Sequence, residues 1–445
     1  MQARTQSRIC RWTWLWLAGL SLARAQPLAS IPADGAAAPD PLAHLGLAEA
    51  QTIAFRQNWD LLAAAAGVDA ATAQRIVAHE FPNPTLSLST SQINVDNHPN
   101  STPEGNGVWD RSYDTVIAIN QLLEIGGKRR RHQTSAQAGF EAAKAQFYDA
   151  RRTLDLGVAR AYVAAAQAQE DVAVLRQSAA SLQEEARLAG LRLSAGEISA
   201  ADRSQIEITA ERFEQDARAA ESAAAQARVA LEVLLGAPHP NADCTLTNRL
   251  EDLVGSAATV RTNATGLRRP DVVAAEAALR KAEADWRLQR AYRIPDPTVQ
   301  AQYEHMPSDF PNSVGFGVSL PLPLWNLNRG NILAAQATRD QARLALEKAQ
   351  AQAAADVAIA LLAYQDATKR WEQYRDSIRP KSEQVRKTKA YAYQKGGASL
   401  LDMLVAERDD NEVRLAALQA ASDTATAVAA LRAATEEIQR SQVTK

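Results

Sequence analysis

The sequence predicts a mainly α chain with a small β part: long coiled-coil helical hairpins, present twice, and four short strands that several chains pool into one transmembrane β-barrel. Three observations predict it. Alanine supplies 92 of the 445 residues while aromatics make up only 5%, a composition of long helices packed at close range. Apolar residues recur every seven positions over long stretches, which is the seam of a coiled coil. Landmarks also repeat at an offset of 200 residues: Gly196, Ser199, Asp202 and Glu207 are answered by Gly396, Ser399, Asp402 and Glu407. Such a match points to duplication of one structural unit.

The N-terminus has the layout of an export signal. Arg4, Arg8 and Arg11 precede an apolar run, Trp12 to Leu22, and Ala23-Arg24-Ala25 offers small residues for cleavage. The expectation is a signal peptide over 1–25, cut after Ala25. Cys10 precedes the apolar run and is therefore not a lipidation site. Losing four Arg and no acid turns the formal charge of −2 into −6, which argues against nucleic acid as a partner. Cys244 is then the one remaining thiol and has no intrachain partner. Residues 26–46 carry Pro27, Pro32, Pro39 and Pro41 and read as an extended arm. No later run of about 18 apolar residues provides a transmembrane helix.

Two repeats follow, 47–247 and 266–441, with a polar connector at 248–265 and a tail at 442–445. Each repeat opens on an Ala-rich helix, Leu47–His79 or Arg269–Arg290. Pro82-Asn83-Pro84 and Pro295-Asp296-Pro297 stop these helices, because proline lacks a donor and forces extension before it. Two strands come next. Val299, Ala301 and Tyr303 alternate with Gln300, Gln302 and Glu304, and Val314, Phe316 and Val318 with Gly315, Gly317 and Ser319. In the first repeat Tyr113, Thr115, Ile117 and Ile119 alternate with Asp114, Val116, Ala118 and Asn120. Period two with one apolar and one small or polar face is a sheet with two different surroundings.

A very long helix is predicted next in each repeat, Arg130–Leu193 and Asn331–Lys395, each roughly 95 Å at 1.5 Å per residue. Its seam is Leu154, Ala161, Ala168, Leu175, Leu182 and Ala189. The returning helix repeats Ile206, Phe213, Ala220, Ala227 and Leu234, and the second long helix repeats Tyr364, Trp371, Ile378, Val385 and Ala392. At the hairpin turns Gly196 and Gly396 supply a left-handed stop. Ser199 and Ser399 are N-caps, with Asp202 and Asp402 three residues on as a capping-box variant. Four strands cannot close a membrane barrel, and an open edge cannot sit in lipid. Three chains give 12 strands, and the long helices continue below them as a tube wall.

With these landmarks the chain resembles the TolC-type outer-membrane efflux factors. The resemblance rests on the duplicated layout, Pro82-Asn83-Pro84, Arg269-Pro270-Asp271, Pro295-Asp296-Pro297, Pro321-Leu322-Pro323-Leu324-Trp325-Asn326 and Gly396-Gly397-Ala398-Ser399-Leu400-Leu401-Asp402. Leu122-Leu123-Glu124-Ile125-Gly126-Gly127-Lys128-Arg129 is similar to the cobalt-zinc-cadmium (Czc-type) heavy-metal branch. The resemblance implies a homotrimeric duct in the outer membrane of a Gram-negative bacterium, embedded in outer-membrane lipid with a long periplasmic portion. It implies docking on a periplasmic membrane-fusion adaptor and an inner-membrane resistance-nodulation-division pump. The adaptor contact is expected at the hairpin tips, Gly196, Ser199, Gly396, Gly397 and Ser399. Asp402 matches a position that constricts some family members, so it is a candidate periplasmic gate as well as a cap. The same duct could serve drugs, solvents or type I protein secretion. A soluble periplasmic coiled-coil scaffold is the reading without a pore.

Chemistry-bearing motifs are otherwise missing from the sequence. The histidines, His44, His79, His98, His132, His239 and His305, are not spaced as metal pairs, and no G-x-S-x-G, phosphate loop or paired catalytic carboxylate stands out. The expectation is no enzyme, no catalytic or metal site and no cofactor. Gly126-Gly127 reads as a strand-to-helix bend, and Lys128, Arg129, Arg130 and Arg131 as solvated charges at the membrane-proximal rim.

Overall fold

The computed structural model describes residues 44–91, 114–255, 268–306 and 312–436. The expected signal peptide with Cys10, the arm as far as residue 43, His98, Tyr113, the connector from 256 onward and the tail lie outside these residues.

Two helices open the described chain, α1 (Leu47–Gln57) and α2 (Trp59–Val77), where the apolar pattern predicts one. The break is at Asn58. Its backbone is extended, its Oδ1 accepts from Leu61 N at 3.0 Å, and its Nδ2 donates to the Leu234 carbonyl at 3.0 Å. One side chain thus caps α2 and ties it to the far end of another helix. The strands β1 (Thr85–Ser91) and β2 (Asp114–Leu122) come next. Then α3 (Lys128–Ser194) runs 67 residues, roughly 100 Å. After a tight turn α4 (Ala200–Leu235) returns along it.

Within the span expected as a polar connector, Leu250–Gly255 forms a short helix, α5, whose Leu250 and Leu253 are buried. Then come α6 (Pro270–Ala291), β3 (Thr298–His305), β4 (Ser313–Ser319) and α7 (Arg329–Gln373). α7 passes into a single π-helical turn, Tyr374–Ile378, followed by α8 (Arg379–Gln394), and α9 (Leu400–Thr435) returns.

The expected unbroken helix from Asn331 to Lys395 is therefore corrected at its centre. Pro380 has no N–H, and its ring would press on the carbonyl four residues back. The wider turn answers this, with Arg379 N donating to the Tyr374 carbonyl five residues back. The extra residue in the turn also shifts the seam by one. Val385 is 54% exposed, while Arg386 faces α9 and Ala390 and Tyr393 pack inward.

The helices pack through small residues. Near the sheet, Ala142 and Ala145 of α3 meet Ala277 of α6. Midway, the largest cluster gathers Tyr162, Leu231, Leu235, Leu250, Trp371 and Ala421 from five helices. The Tyr162 hydroxyl donates to the Leu45 carbonyl at 2.8 Å, and Leu45 bridges in parallel to Leu246. Toward the turns, Leu175, Leu182, Phe213, Met403 and Leu404 form a third cluster. Among the described residues no helix is long and apolar enough to cross a membrane.

Candidate functional site

Three places carry the features a function could use: the sheet, the bends beneath it, and the two hairpin turns about 100 Å away along α3.

The four strands form one antiparallel sheet in the order β1-β2-β3-β4. The register sorts every side chain to one of two faces. On one face Leu86 stands opposite Ile119, Leu88 opposite Ile117, Ile117 opposite Tyr303, Ala301 opposite Phe316, and Val299 opposite Val318. Phe316 is 86% exposed, and Leu86, Leu88, Val314 and Val318 are also open. On the other face Ser87, Ala118, Gln302 and Gly315 make one row, and Asn120, Gln300 and Gly317 another. The Gln side chains lie over the glycines, since a Cβ would come within 3.1 Å of Gln302 at Gly315 and 3.2 Å of Gln300 at Gly317. β3 has eight residues, roughly 26 Å of strand. β1 and β4 each keep one edge without a strand partner among the described residues. In β1 Leu86 and Leu88 alternate with Ser87 and Ser89, a signal that seven residues and many serines leave faint in the sequence.

Beneath the sheet the chain turns sharply into α3. Gly126 and Gly127 both sit at φ +71°, and a Cβ on Gly126 would come within 2.8 Å of Ile294. In the second half Asn328, at φ +56°, takes the equivalent place before α7. Its Nδ2 donates to the Gln289 carbonyl at 2.8 Å.

Lys128 is not the solvated charge its sequence context predicts. It is 3% exposed, and its Nζ lies 2.6 Å from Asp296. Asp296 also accepts from Ile125 N at 2.9 Å. The middle residue of the second Pro-Asp-Pro element thereby anchors the first bend, and burial is tolerable because the charge is paired. Arg129 is also engaged, donating to the His79 carbonyl and lying over the Phe81 ring. Arg131 donates to the Arg287 carbonyl at 3.1 Å, and Arg130 is exposed.

The two turns are built alike. Gly196 and Gly396 have φ of +76° and +74°, and Gly397 N donates to the Ala392 carbonyl at 2.8 Å. Ser199 and Ser399 each accept from the N–H of Asp202 or Asp402 at 3.1 Å, and each Asp returns the bond to the serine N–H at 3.3 Å. Asp402 has one partner that Asp202 lacks a counterpart for, Lys389 Nζ at 3.5 Å. The Ser399 hydroxyl, then the Ser399 N–H and Lys389, hold its carboxyl below the usual aspartate range.

Behind the second turn Arg386 lies 3.2 Å from Glu407 and 3.1 Å from Asp410, and Arg414 lies 2.9 Å from Asp410. Sequence reading missed this network; Asp410 falls among Asp409 and Arg408 on a charged helix and looks solvated, yet it is 2% exposed. Among the described residues no group of three or more His, Cys, Asp or Glu is placed to share a metal ion. Cys244 is buried and unpaired, and burial beside the Glu232 carboxylate pushes its thiol up to about 11.

A family profile described as outer membrane efflux protein matches residues 52–237 and 263–436. The cobalt-zinc-cadmium resistance protein CzcC of Cupriavidus metallidurans is 24% identical over 378 residues, covering 83% of this chain and 85% of that one. A membrane protein from Pseudomonas aeruginosa has a similar solved structure, with a TM-score of 0.72 at 22% identity over 90% of this chain and 92% of that one. The CmeC outer membrane channel of Campylobacter jejuni gives a TM-score of 0.74 at 19% identity over 87% and 85%.

Proposed function

The chain belongs to the outer membrane efflux protein family, and from that premise we propose that it is the outer-membrane duct of a three-part export system for divalent metal cations. The observation that carries the reading is the two-faced sheet with open edges. Its apolar face suits lipid and its Ser, Asn, Gln and Gly face suits water. A four-stranded sheet with free edges is not stable in hydrocarbon, where unpaired backbone groups cost several kcal/mol each. Because the strands alternate in direction, β4 of one copy and β1 of the next run antiparallel and can pair. Three copies make a closed barrel of 12 strands, with the long helices as the tunnel below. We take 47–247 and 266–441 as two copies of one unit.

The inner-membrane partner is a resistance-nodulation-division pump, joined through a periplasmic adaptor that packs against the turns at Gly196–Ser199 and Gly396–Ser399. Asp402, three copies around the axis, lines the periplasmic mouth and selects for cations there. Cobalt, zinc and cadmium are the cargo supported by Leu122–Arg129 and by the name of the similar CzcC. The metal is substrate: the mouth favours cations in general, and the choice among metals lies upstream in the pump.

Two measurements test this. Native mass in detergent should give a trimer, and a stable ion-conducting monomer would sink the assembly. Deleting the gene in cells that express the pump should lower tolerance to cobalt, zinc or cadmium more than tolerance to dyes or detergents. The reverse order would reassign the cargo to organic compounds and leave the duct in place.

A further inference from the structure

Below the sheet the helices repeat the order of the strands. α2 packs on α3, α3 on α6 and α6 on α7, as β1 lies on β2, β2 on β3 and β3 on β4. The result is an open layer with α2 at one edge and α7 at the other, about 25–30 Å apart at ordinary helix spacings. The inner helices are covered. On α6 only Arg280, Lys281, Arg287 and Arg290 are exposed.

The edge helices each carry a second apolar stripe. α2 turns Leu61, Ala64, Val68 and Ala71 inward, in line with Arg75, whose guanidinium lies 4.8 Å over Phe140 of α3. On the opposite side Trp59, Leu62, Ala66, Ala70, Ala73 and Val77 keep helical spacing and are all exposed. α7 buries Ala353, Ala360 and Ala367. On its opposite side Leu333, Ala337, Leu344, Ala351, Ala358 and Leu362 are all exposed. Trp59 is 63% open and Leu344 59%. A surface helix needs one apolar stripe, and a second one marks a helix covered on both sides. Gly67, inside α2, has nothing within 4 Å of where a Cβ would stand. Glycine disfavours a helix interior, and the close approach of another helix gives it a use.

The two stripes match in direction and height. Arg129 of α3 donates to the His79 carbonyl, Arg131 of α3 to the Arg287 carbonyl, and Asn328 to the Gln289 carbonyl. His79 and Asn328 therefore stand at nearly one level. α2 ends at that level and α7 starts from it, so the two run antiparallel, as β1 and β4 of adjacent copies do. Equal residue counts from His79 and Asn328 then give equal depth. Ala70 comes level with Ala337, both nine residues away, and Ala63 with Leu344, both 16 away. Leu344 thus meets Ala63 and Ala66, and Trp59 lies near Ala351, so large side chains oppose small ones. The exposed charges of α2 are the acids Asp60 and Asp69, and on the facing stretch of α7 Arg343 and Lys348 outnumber Glu347.

We propose that the exposed stripe of α2 seats α7 of a second copy, an antiparallel seam of small residues that continues the β1–β4 pairing below the barrel. Within one chain α3 and α6 stand between the two stripes, so only another copy brings them together. The seam rests on the three-copy duct reading.

The test uses the full chain in detergent. Ala70→Cys/Ala337→Cys under mild oxidation should give covalently linked dimers and trimers. A disulfide needs Cα atoms about 4–7 Å apart, so these thiols cannot join within one chain. Ala70→Cys/Ala351→Cys keeps the same faces but moves one thiol about 21 Å along α7, and should stay unlinked. Cys244 is buried and stays out of the reaction. Leu344→Glu should weaken association by at least about tenfold in chain concentration, read by native mass on dilution, with helix content unchanged. A wild-type trimer whose first cysteine pair stays unlinked, or links no better than the second, would overturn the seam and leave the duct standing, with adaptor or lipid covering the stripes. Leu344→Glu trimers as persistent as wild type would do the same. Wild-type chain that stays monomeric would instead overturn the duct reading itself, which keeps the two failures apart. If Leu344→Glu does not fold, the alanine-to-cysteine pairs still decide.

Discussion

The two hairpins share a turn but not a seam. At both turns a glycine at positive φ, a capping serine and an aspartate three residues on make the same loop. Beyond the turn they diverge. In the first, α3 and α4 bury Leu175, Ala179, Leu182 and Ala189 against Ile206, Ala210, Phe213 and Ala217. Its ion pairs, Arg176 with Glu214 and Glu221, are additions at the surface. In the second, α8 has no buried residue at all, follows a π-turn, and is joined to α9 by Arg386 and Lys389. α9 itself sends Met403 and Leu404 into the cluster of the first hairpin. The first hairpin and α9 thus form one apolar body, and α8 is attached to it by charge and by the half-buried Ala390 and Tyr393 alone. Local stability follows buried apolar contact, so α8 is the segment of the turns that opens most readily.

The largest expected effect tests the apolar side of that contrast. Phe213→Ala should cost about 3–5 kcal/mol, the transfer energy plus the cavity left behind. Val385→Ala in α8 should change stability by less than about 0.5 kcal/mol, because the side chain is already exposed. Thermal unfolding in detergent reads both, and equal losses would erase the distinction between the hairpins.

Next comes the ionic side. Arg386→Met removes one of two arginines on Asp410 and the partner of Glu407. The loss should be about 2 kcal/mol, smaller than for a fully orphaned buried charge because Arg414 remains. Hydrogen exchange should speed up in 379–394 while 175–194 is unchanged. Added salt should mimic the variant in part, since the pair is partly exposed. Exchange that rises equally in α3 would mean that the second hairpin is no looser than the first.

Much of this contrast was legible and part was not, for definite reasons. The period of seven located the first seam because it is made of apolar side chains whose spacing is unbroken from Leu175 to Ala189. The same period misplaced the second seam beyond Trp371. Pro380 was in plain view, but its consequence, a π-turn that advances the inward face from Val385 to Arg386, depends on how the backbone yields. Lys128 and Asp410 look solvated in sequence because a charge in a charged run gives no local sign of burial; their partners, Asp296 and Arg386, lie far along the chain. The strand alternation in β3 and β4 was clear because Gln and Gly separate the apolar residues. The long partnerships that join β2 to β3 were not contained in any local pattern.

Acid should act on the first hairpin before the second. Asp171 in α3 is pushed up to about 6, mainly by burial, and its Oδ1 has no partner. A raised carboxyl means that the folded chain binds more protons than the unfolded one between pH ~4 and ~6, so stability falls as pH rises through that window. Asp171→Asn should therefore raise stability by about 1–2 kcal/mol at pH 8, discounted for partial exposure, and have little effect at pH 4. Asp402 has the opposite sign. Its lowered carboxyl stabilises above the ordinary aspartate range and loses that contribution only as pH falls below it. Between pH 6 and 4 the first hairpin should tighten while the second is unmoved. A pH profile of exchange in 379–394 that changes first would reverse the assignment.

The smallest effect separates the shared turn from the unshared charge. Ser199→Ala and Ser399→Ala each remove an N-cap acceptor at 3.1 Å, worth about 1 kcal/mol, and the two should match because the turns match. Asp202→Ala and Asp402→Ala should differ. Asp202 loses a reciprocal cap bond alone, while its neighbour Arg203 is paired with Glu207. Asp402 loses the same bond together with its contact to Lys389, which frees α8 and removes one negative charge per subunit from the proposed mouth. Planar-bilayer recordings of Asp402→Ala should show weaker cation preference and less block by divalent ions, with Asp202→Ala unchanged. Wild-type currents and wild-type block in both variants would strip Asp402 of its role at the mouth and leave it a cap like its counterpart. Altered currents in both would mean that the two turns line the opening together, and the difference in their seams would not decide which one guards it.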